Sequence, residues 1–336
     1  MGVLDKRKRA TLIGLLALVM WSMMFGFVRR TSSAFGEYLG PALIYTLAAI
    51  LVYPVFRPSP VAKLPCTYVL LGGGLFIAYE TVTALAIGLA ATNQQTLEVS
   101  LVNYLWPSLL VLVSAFADKF HWLDEAKGSL AVEGEPENAG GGDADARGCN
   151  AAPALRPKRG VIRRVIPGVA VATFGVLIAV GGNNGLDAAS MLTDISANPA
   201  PFALCLSGAL IWAFYSAFVG FWAKGADATA YFLGGVAVVM WAIFLTKGAP
   251  IPSEPVSLEG WLSLAGAAGS IGAGYAFWGY GMNHGDLALI GIGSYAAPLL
   301  SVIASVVILG VNLTPIFWVG TVCVVAGSLI NWRMRR

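Results

Sequence analysis

Apolar runs of nearly uniform length, separated by short polar breaks, dominate the chain. Apolar stretches lie near residues 10–28, 40–56, 66–91, 97–117, 164–182, 199–223, 228–246, 260–283, 286–309 and 314–332. Each holds about the 20 residues that a helix needs to cross a bilayer core about 30 Å thick. The pattern predicts an all-α polytopic membrane protein with ten transmembrane helices. No charged side chain occurs between Leu287 and Trp332, which is too long for one helix. Within that stretch GVNLTP at 310–315 supplies a turn and a proline helix start, and so divides it in two. The segment 124–160 breaks the rhythm, being rich in Gly, Ala, Pro and charge and poor in large apolar residues. Such a segment cannot build a core and reads as a flexible cytoplasmic linker.

Composition sharpens this picture. Only 12% of residues are charged and 57% are hydrophobic, against roughly 25% charged in soluble domains; the mean hydropathy is +0.73. With the N-terminus inside, 18 of the 21 Lys and Arg residues fall in cytoplasmic segments, and only Arg29, Arg30 and Lys247 face outward. This bias places both termini in the cytoplasm. The net charge of +3 thus reports topology, because the basic residues flank spans and form no nucleic-acid surface. The basic run Lys6–Arg9 before the first span resembles a secretory signal, but Trp21 belongs to an internal repeat, so the segment is read as a retained helix. Cys66, Cys149, Cys205 and Cys323 show neither disulfide nor metal spacing. No cofactor or metal is expected, and the oligomeric state is not legible.

The repeat is the strongest organisational signal. A shift of 191 residues carries Trp21 onto Trp212, Phe27 onto Phe218, Gly88 onto Gly279, Tyr104 onto Tyr295 and Pro107 onto Pro298. After the linker a shift of 152 carries Gly168 onto Gly320 and Gly175 onto Gly327. Residues 1–123 hold spans one to four, 161–186 hold span five, and 187–336 hold spans six to ten. Five spans per copy is an odd number, so the second copy is inverted relative to the first. Inverted repeats around a central cavity are the architecture of alternating-access carriers, with substrate held near the midplane.

Candidate chemistry concentrates in few places. Asn103, Tyr104, Trp106 and Pro107 sit in the uncharged part of the fourth span, Val99 to Ala117, with Ser294, Tyr295, Ala297 and Pro298 as their counterparts. Proline inside a membrane helix survives where the freed backbone is buried in protein or faces a watery cavity, which suggests Pro107 and Pro298 as hinges; kinks that serve packing alone are the alternative. Tyr38, Trp241, Trp261, Trp318 and Trp332 lie near span ends and read as interfacial anchors. Trp21, Tyr79, Trp106, Trp212 and Tyr215 lie deeper. At helical spacing Tyr79 joins Thr83, Trp212 joins Tyr215, and Tyr275 joins Trp278, so these pairs can line a ring-walled pocket.

Glu80 is the one charged residue deep in a span. It can bind a substrate ammonium, carry a proton, or be neutral and hydrogen-bonded between helices. Glu98 stands at the predicted start of span four, where an acid also suits a helix N-terminus, and His284 and Asp286 fall in the turn between spans eight and nine, as gate residues or as a solvated loop. No Lys or Arg lies inside a span, which disfavours phosphorylated substrates. A zwitterion fits better, its carboxylate meeting Asn103, Ser294 and broken-helix ends and its ammonium meeting Glu80 or ring faces. Neither His121 nor His284 sits in a catalytic motif, so an enzyme is not expected.

The stretches AYETVTALAIGLAATNQQTLEVSLVNYLWP (78–107), GGNNGL (181–186), ALIWAFYSAF (209–218) and GSYAAPLLS (293–301) carry a resemblance to a known family. The chain resembles the drug/metabolite transporter superfamily of EamA type, and within it the bacterial aromatic amino acid exporters. That resemblance implies a multi-pass inner-membrane exporter of aromatic and other neutral amino acids, with helices arranged as a basket around a cavity. It further implies that Asn103, Tyr104, Trp106 and Pro107 of span four, Trp212 and Tyr215 of span six, and Ser294, Tyr295 and Pro298 of span nine line that cavity. A channel-like facilitator, or an exporter of other small metabolites or drugs, is the alternative.

Overall fold

The computed structural model describes residues 2–55, 58–119, 161–181 and 195–335. The linker 124–160 and most of GGNNGL lie outside the described residues. Among the described residues every regular element is helical: α1 (Gly2–Phe35), α2 (Leu39–Val55), α3 (Gly73–Gly88, entered through a π-helical turn at Tyr68–Gly72), α4 (Asn93–Asn103), α5 (Trp106–Lys119) and α6 (Val161–Gly181). There follow α7 (Pro199–Ala223), α8 (Thr229–Lys247), α9 (Leu258–His284), α10 (Leu287–Gly293), α11 (Ala297–Leu309) and α12 (Pro315–Arg335). Among the described residues, five segments are long and apolar enough by themselves to cross a membrane, namely Lys6–Phe35, Tyr68–Gly88, Pro199–Ala223, Thr229–Lys247 and Leu289–Leu309. Three shorter helices are also apolar: Leu39–Val55, Ile166–Gly181 and Pro315–Asn331. Outward-facing Ile50, Val238, Leu245 and Val307 are each more than 60% exposed, which water would penalise and lipid would not.

Local signals account for the helix ends. Thr92 caps α4, its hydroxyl accepting from the Gln95 N–H at 3.0 Å, and Ser257 caps α9 by accepting from the Gly260 N–H at 3.2 Å. The turn predicted at GVNLTP is present. Gly310 ends α11 with φ +65°, the left-handed conformation that glycine adopts without a Cβ penalty, and Pro315 opens α12.

Span four differs from the expected single helix. It breaks at Tyr104–Leu105, and span nine breaks through a 3-10 turn at Ser294–Ala296. Pro107 and Pro298 are the second residues of α5 and α11. In the first turn of a helix the missing N–H costs nothing, so the roughly 3 kcal/mol penalty of an interior proline does not arise. The break also separates Asn103 from Trp106 and Pro107, which therefore do not share one continuous helical face. Because α4 begins at Asn93, Glu98 lies in the second turn and is buried, accepting from Gln94 Nε2 at 3.3 Å; it is not an N-terminal acid. Trp241 is likewise not a plain interfacial anchor, since its Nε1–H donates to Thr46 Oγ1 on α2 at 3.0 Å.

The helices pack in defined pairs. Helix α1 lies along α9 over most of its length, α6 along α12, α2 along α8, and α3 along α7. Glycines permit these approaches. Gly14 and Gly281 bring the backbones of α1 and α9 together, and Gly266 and Gly274 make room for Phe27 and Trp21. Between α6 and α12 a Cβ on Gly175 would stand 2.6 Å from the Gly320 carbonyl oxygen, and one on Gly168 would stand 2.7 Å from that of Gly327. Gly175→Val is therefore expected to force the two backbones apart and to cost about 1–3 kcal/mol, the usual price of overpacking. A lowered melting temperature in detergent checks this, with Gly74→Ala as a neutral control because Gly74 has no atom near its Cβ position.

Candidate functional site

Helix α3 supplies the centre of the site, because Phe76, Tyr79, Glu80 and Thr83 recur at spacings of three and four and so share a face. Glycine at position 208 of α7 lets that helix approach closely, a Cβ there lying 3.0 Å from Thr83 Oγ1. Consequently the rings of α7 meet those of α3. Trp212 lies 4.5 Å from Tyr79 and 6.3 Å from Phe76, and stacks on Tyr215 at 5.0 Å. Phe76 carries the contact onward to Tyr275 of α9 at 5.2 Å, and Tyr275 meets Trp21 of α1 edge-on at 5.2 Å. Trp278 closes the series, 5.3 Å from Trp21. One continuous aromatic surface thus crosses four helices, with offset and edge contacts of the kind that ring quadrupoles favour.

Glu80 lies within this surface and is 2% exposed. Tyr45 of α2 donates its hydroxyl to Oε2 at 2.6 Å, and the Tyr275 hydroxyl of α9 donates to Oε1. The carboxylate therefore ties α2, α3 and α9 together. Each such bond is worth about 0.5–1.5 kcal/mol net, and together they offset part of the cost of burying the group. Of the three roles open to Glu80, the interhelical bond is the one these contacts display.

Tyr79 is bound from the other side by Asn103, whose Nδ2 donates to the Tyr79 hydroxyl at 3.2 Å. Asn103 is 3% exposed and Thr83 2%. The Asn103 Oδ1 and Thr83 Oγ1 atoms are buried without a hydrogen-bond partner. Buried polar atoms are ordinarily satisfied, and an orphaned pair beside a ring surface offers one acceptor and one hydroxyl to an incoming polar group.

The structure thus assembles Tyr79, Glu80, Thr83, Asn103, Trp212, Tyr215 and Trp278. Others stand apart. Tyr104 is buried against Phe25 of α1 at 5.9 Å. Trp106 and Pro107 are half-buried at the start of α5. Ser294 donates its hydroxyl to the Gly291 carbonyl at 2.7 Å, and Tyr295 is half-buried in the same 3-10 turn, while Pro298 is buried. Asp286 is no plain solvated loop residue, since it forms an ion pair with Arg7 at 3.0 Å, and His284 stacks on Tyr280 at 4.7 Å. Two residues of the site were missed by sequence reasoning, Tyr45 and Phe76. The spacing of Phe76 from Tyr79 and Glu80 was available; the rotation of α2 that aims Tyr45 was not.

Comparison with known proteins adds four findings. Residues 201–333 match the model of the EamA-like transporter family. The aromatic amino acid exporter YddG of Salmonella typhimurium (strain 14028s) is 32% identical over 332 residues, covering 98% of this chain and 98% of that protein. The protein of the same description from Escherichia coli (strain K12) is 32% identical over 334 residues, covering 98% and 99%. A solved crystal structure at 23% identity superposes with a TM-score of 0.60 over 98% of this chain and 100% of its own, so the two share a fold.

Proposed function

This chain belongs to the EamA-like transporter family, and from that premise we propose that it is a secondary transporter exporting aromatic and other neutral amino acids across a bacterial inner membrane. Both termini face the cytoplasm, as the Lys and Arg bias requires. The ten spans form two inverted five-helix repeats. Support comes from the helix pairs, since α1 on α9 has its counterpart in α7 on α3 under the same 191-residue shift. The glycines of α6 and α12 add a second support. Gly168 meets Gly327 and Gly175 meets Gly320, a crossed pairing that a pseudo-two-fold axis generates. Breaks at the same register in spans four and nine agree, because discontinuous helices mark substrate sites in such carriers.

One observation carries the substrate assignment: the ring surface through Tyr79, Trp212 and Tyr215 that adjoins Glu80 and the unpartnered Asn103 and Thr83 oxygens. An aromatic side chain stacks on the rings. The α-ammonium finds the Asn103 carbonyl oxygen, the Glu80 carboxylate and the negative ring faces. The carboxylate of the amino acid is received by the Thr83 hydroxyl and the backbone at the interruption of span four. Pro107 and Pro298 open the helices that move. Efflux from loaded liposomes of Phe, Tyr, Trp, Thr and a quaternary-ammonium drug, compared in parallel, tests this. Aromatic amino acids are expected to leave fastest and to show counterflow. Preferential efflux of the drug, or absence of counterflow, would replace the reading by a drug exporter or a channel.

A further inference from the structure

Two polar pairs sit at opposite ends of the molecule and stand in the same internal register. Arg7 in the first turns of α1 bonds Asp286, just before α10, at 3.0 Å. The Asp286 N–H donates to Thr11 Oγ1 of α1 at 2.8 Å, so backbone and side chain of that residue both hold α1. Asn198, the residue preceding α7, donates from Nδ2 to Gln95 Oε1 near the start of α4 at 2.9 Å, and also to the Leu89 carbonyl at 3.1 Å. Asn198 lies 191 positions after Arg7, and Asp286 lies 191 positions after Gln95. The two pairs are therefore one contact made twice, once between α1 and the entrance to span nine and once between α7 and the entrance to span four. With the orientation proposed above, the first is cytoplasmic and the second external.

We propose that Arg7–Asp286 is the inner gate latch and Gln95–Asn198 the outer one, each released in turn as the carrier alternates; this rests on the inverted-repeat reading. Their chemistry differs in a useful way. The inner latch is an exposed ion pair, with Arg7 60% and Asp286 31% exposed at the side chain. Exposed ion pairs are weak and are screened by salt. The outer latch joins two neutral amides and is insensitive to ionic strength. Neither is strong enough to freeze the carrier, and a substitution at one end biases which side opens.

The test uses the full chain with its four native cysteines replaced. A reporter cysteine is placed at Thr83, and an impermeant maleimide is applied to membrane vesicles of each sidedness. Bridging the Arg7→Cys/Asp286→Cys pair with a short bifunctional thiol reagent, quenched before labelling of the reporter, is expected to confine labelling to the external face. Bridging the Gln95→Cys/Asn198→Cys pair is expected to confine it to the cytoplasmic face. Without any bridge, Arg7→Gln is expected to raise cytoplasmic-side labelling roughly two- to fivefold, the population change a contact of this class carries, and high salt is expected to mimic it only while Arg7 is present. Failure of the reagent to span either pair, sidedness unchanged by bridging, or closure of the same face by both bridges would overturn the latches. Labelling requires no transported substrate. Phenylalanine efflux is measured separately in the cysteine-free chain that keeps Thr83; sided labelling of the reporter without efflux by that chain would sink the export reading alone, and efflux without sided labelling would sink the latches alone.

Discussion

Trp212→Ala is expected to lower phenylalanine and tyrosine export by at least about tenfold while the protein remains in the membrane at its normal level. Trp212 contacts Tyr79, Phe76 and Tyr215 at once, and it is only half-buried. Aromatic pairs are worth about 0.5–1.5 kcal/mol beyond the area they bury. A substrate ring that loses one such face, together with the order Trp212 imposes on Tyr79 and Tyr215, loses more than the roughly 1.4 kcal/mol that corresponds to a factor of ten. Threonine brings no ring to stack, so its export is expected to fall less. The check is efflux of the three amino acids side by side, with immunoblotting of the membrane fraction. Equal losses for phenylalanine and threonine would mean that Trp212 holds the helices and does not select the cargo.

Glu80 produces the second large effect, and here two substitutions must be compared. Glu80→Ala strips the acceptor from both Tyr45 and Tyr275. The Tyr45 hydroxyl is left with only a long contact to the backbone carbonyl of residue 80 at 3.4 Å, and the half-buried Tyr275 hydroxyl loses its carboxylate acceptor; an unmade bond of this kind costs about 1–3 kcal/mol, a sizeable part of the roughly 5–15 kcal/mol by which folded chains are stable. The Ala variant is accordingly expected to melt far below the parent or to fail to accumulate. Glu80→Gln keeps the shape and one acceptor oxygen, and is expected to fold. In that variant the side chain no longer titrates, so the pH profile of export is expected to change. An unaltered profile would assign Glu80 to tying α2, α3 and α9 and to nothing else.

The apolar runs made most of the helices legible, because length and absence of charge are all that lipid demands of a span. What escaped them has identifiable causes. Pro107 and Pro298 advertised irregular backbone, but a proline does not disclose whether it kinks one helix or begins another; only the turns at Tyr104–Leu105 and Ser294–Ala296 answer that. Glu98 was misplaced because α4 starts at Asn93 through the Thr92 cap, before the uncharged run begins. Within the site, the pairs that lie three or four apart on one helix were legible: Tyr79 with Thr83, Trp212 with Tyr215, and Tyr275 with Trp278. Contacts between helices were not, since the rotation of each helix is set by its neighbours. Hence Tyr45 and Tyr275 as partners of Glu80, Phe76 as the bridge between α7 and α9, and Asn103 as the partner of Tyr79 appear only in three dimensions.

Helices α6 and α12 are occupied chiefly with each other, backbone against backbone through Gly168, Gly175, Gly320 and Gly327, and none of the assembled ring or polar groups comes from either. A genetic selection for altered cargo should therefore draw its alleles from α3, α4, α7 and α9. Alleles recovered at the four glycines should instead be those in which the polypeptide is degraded.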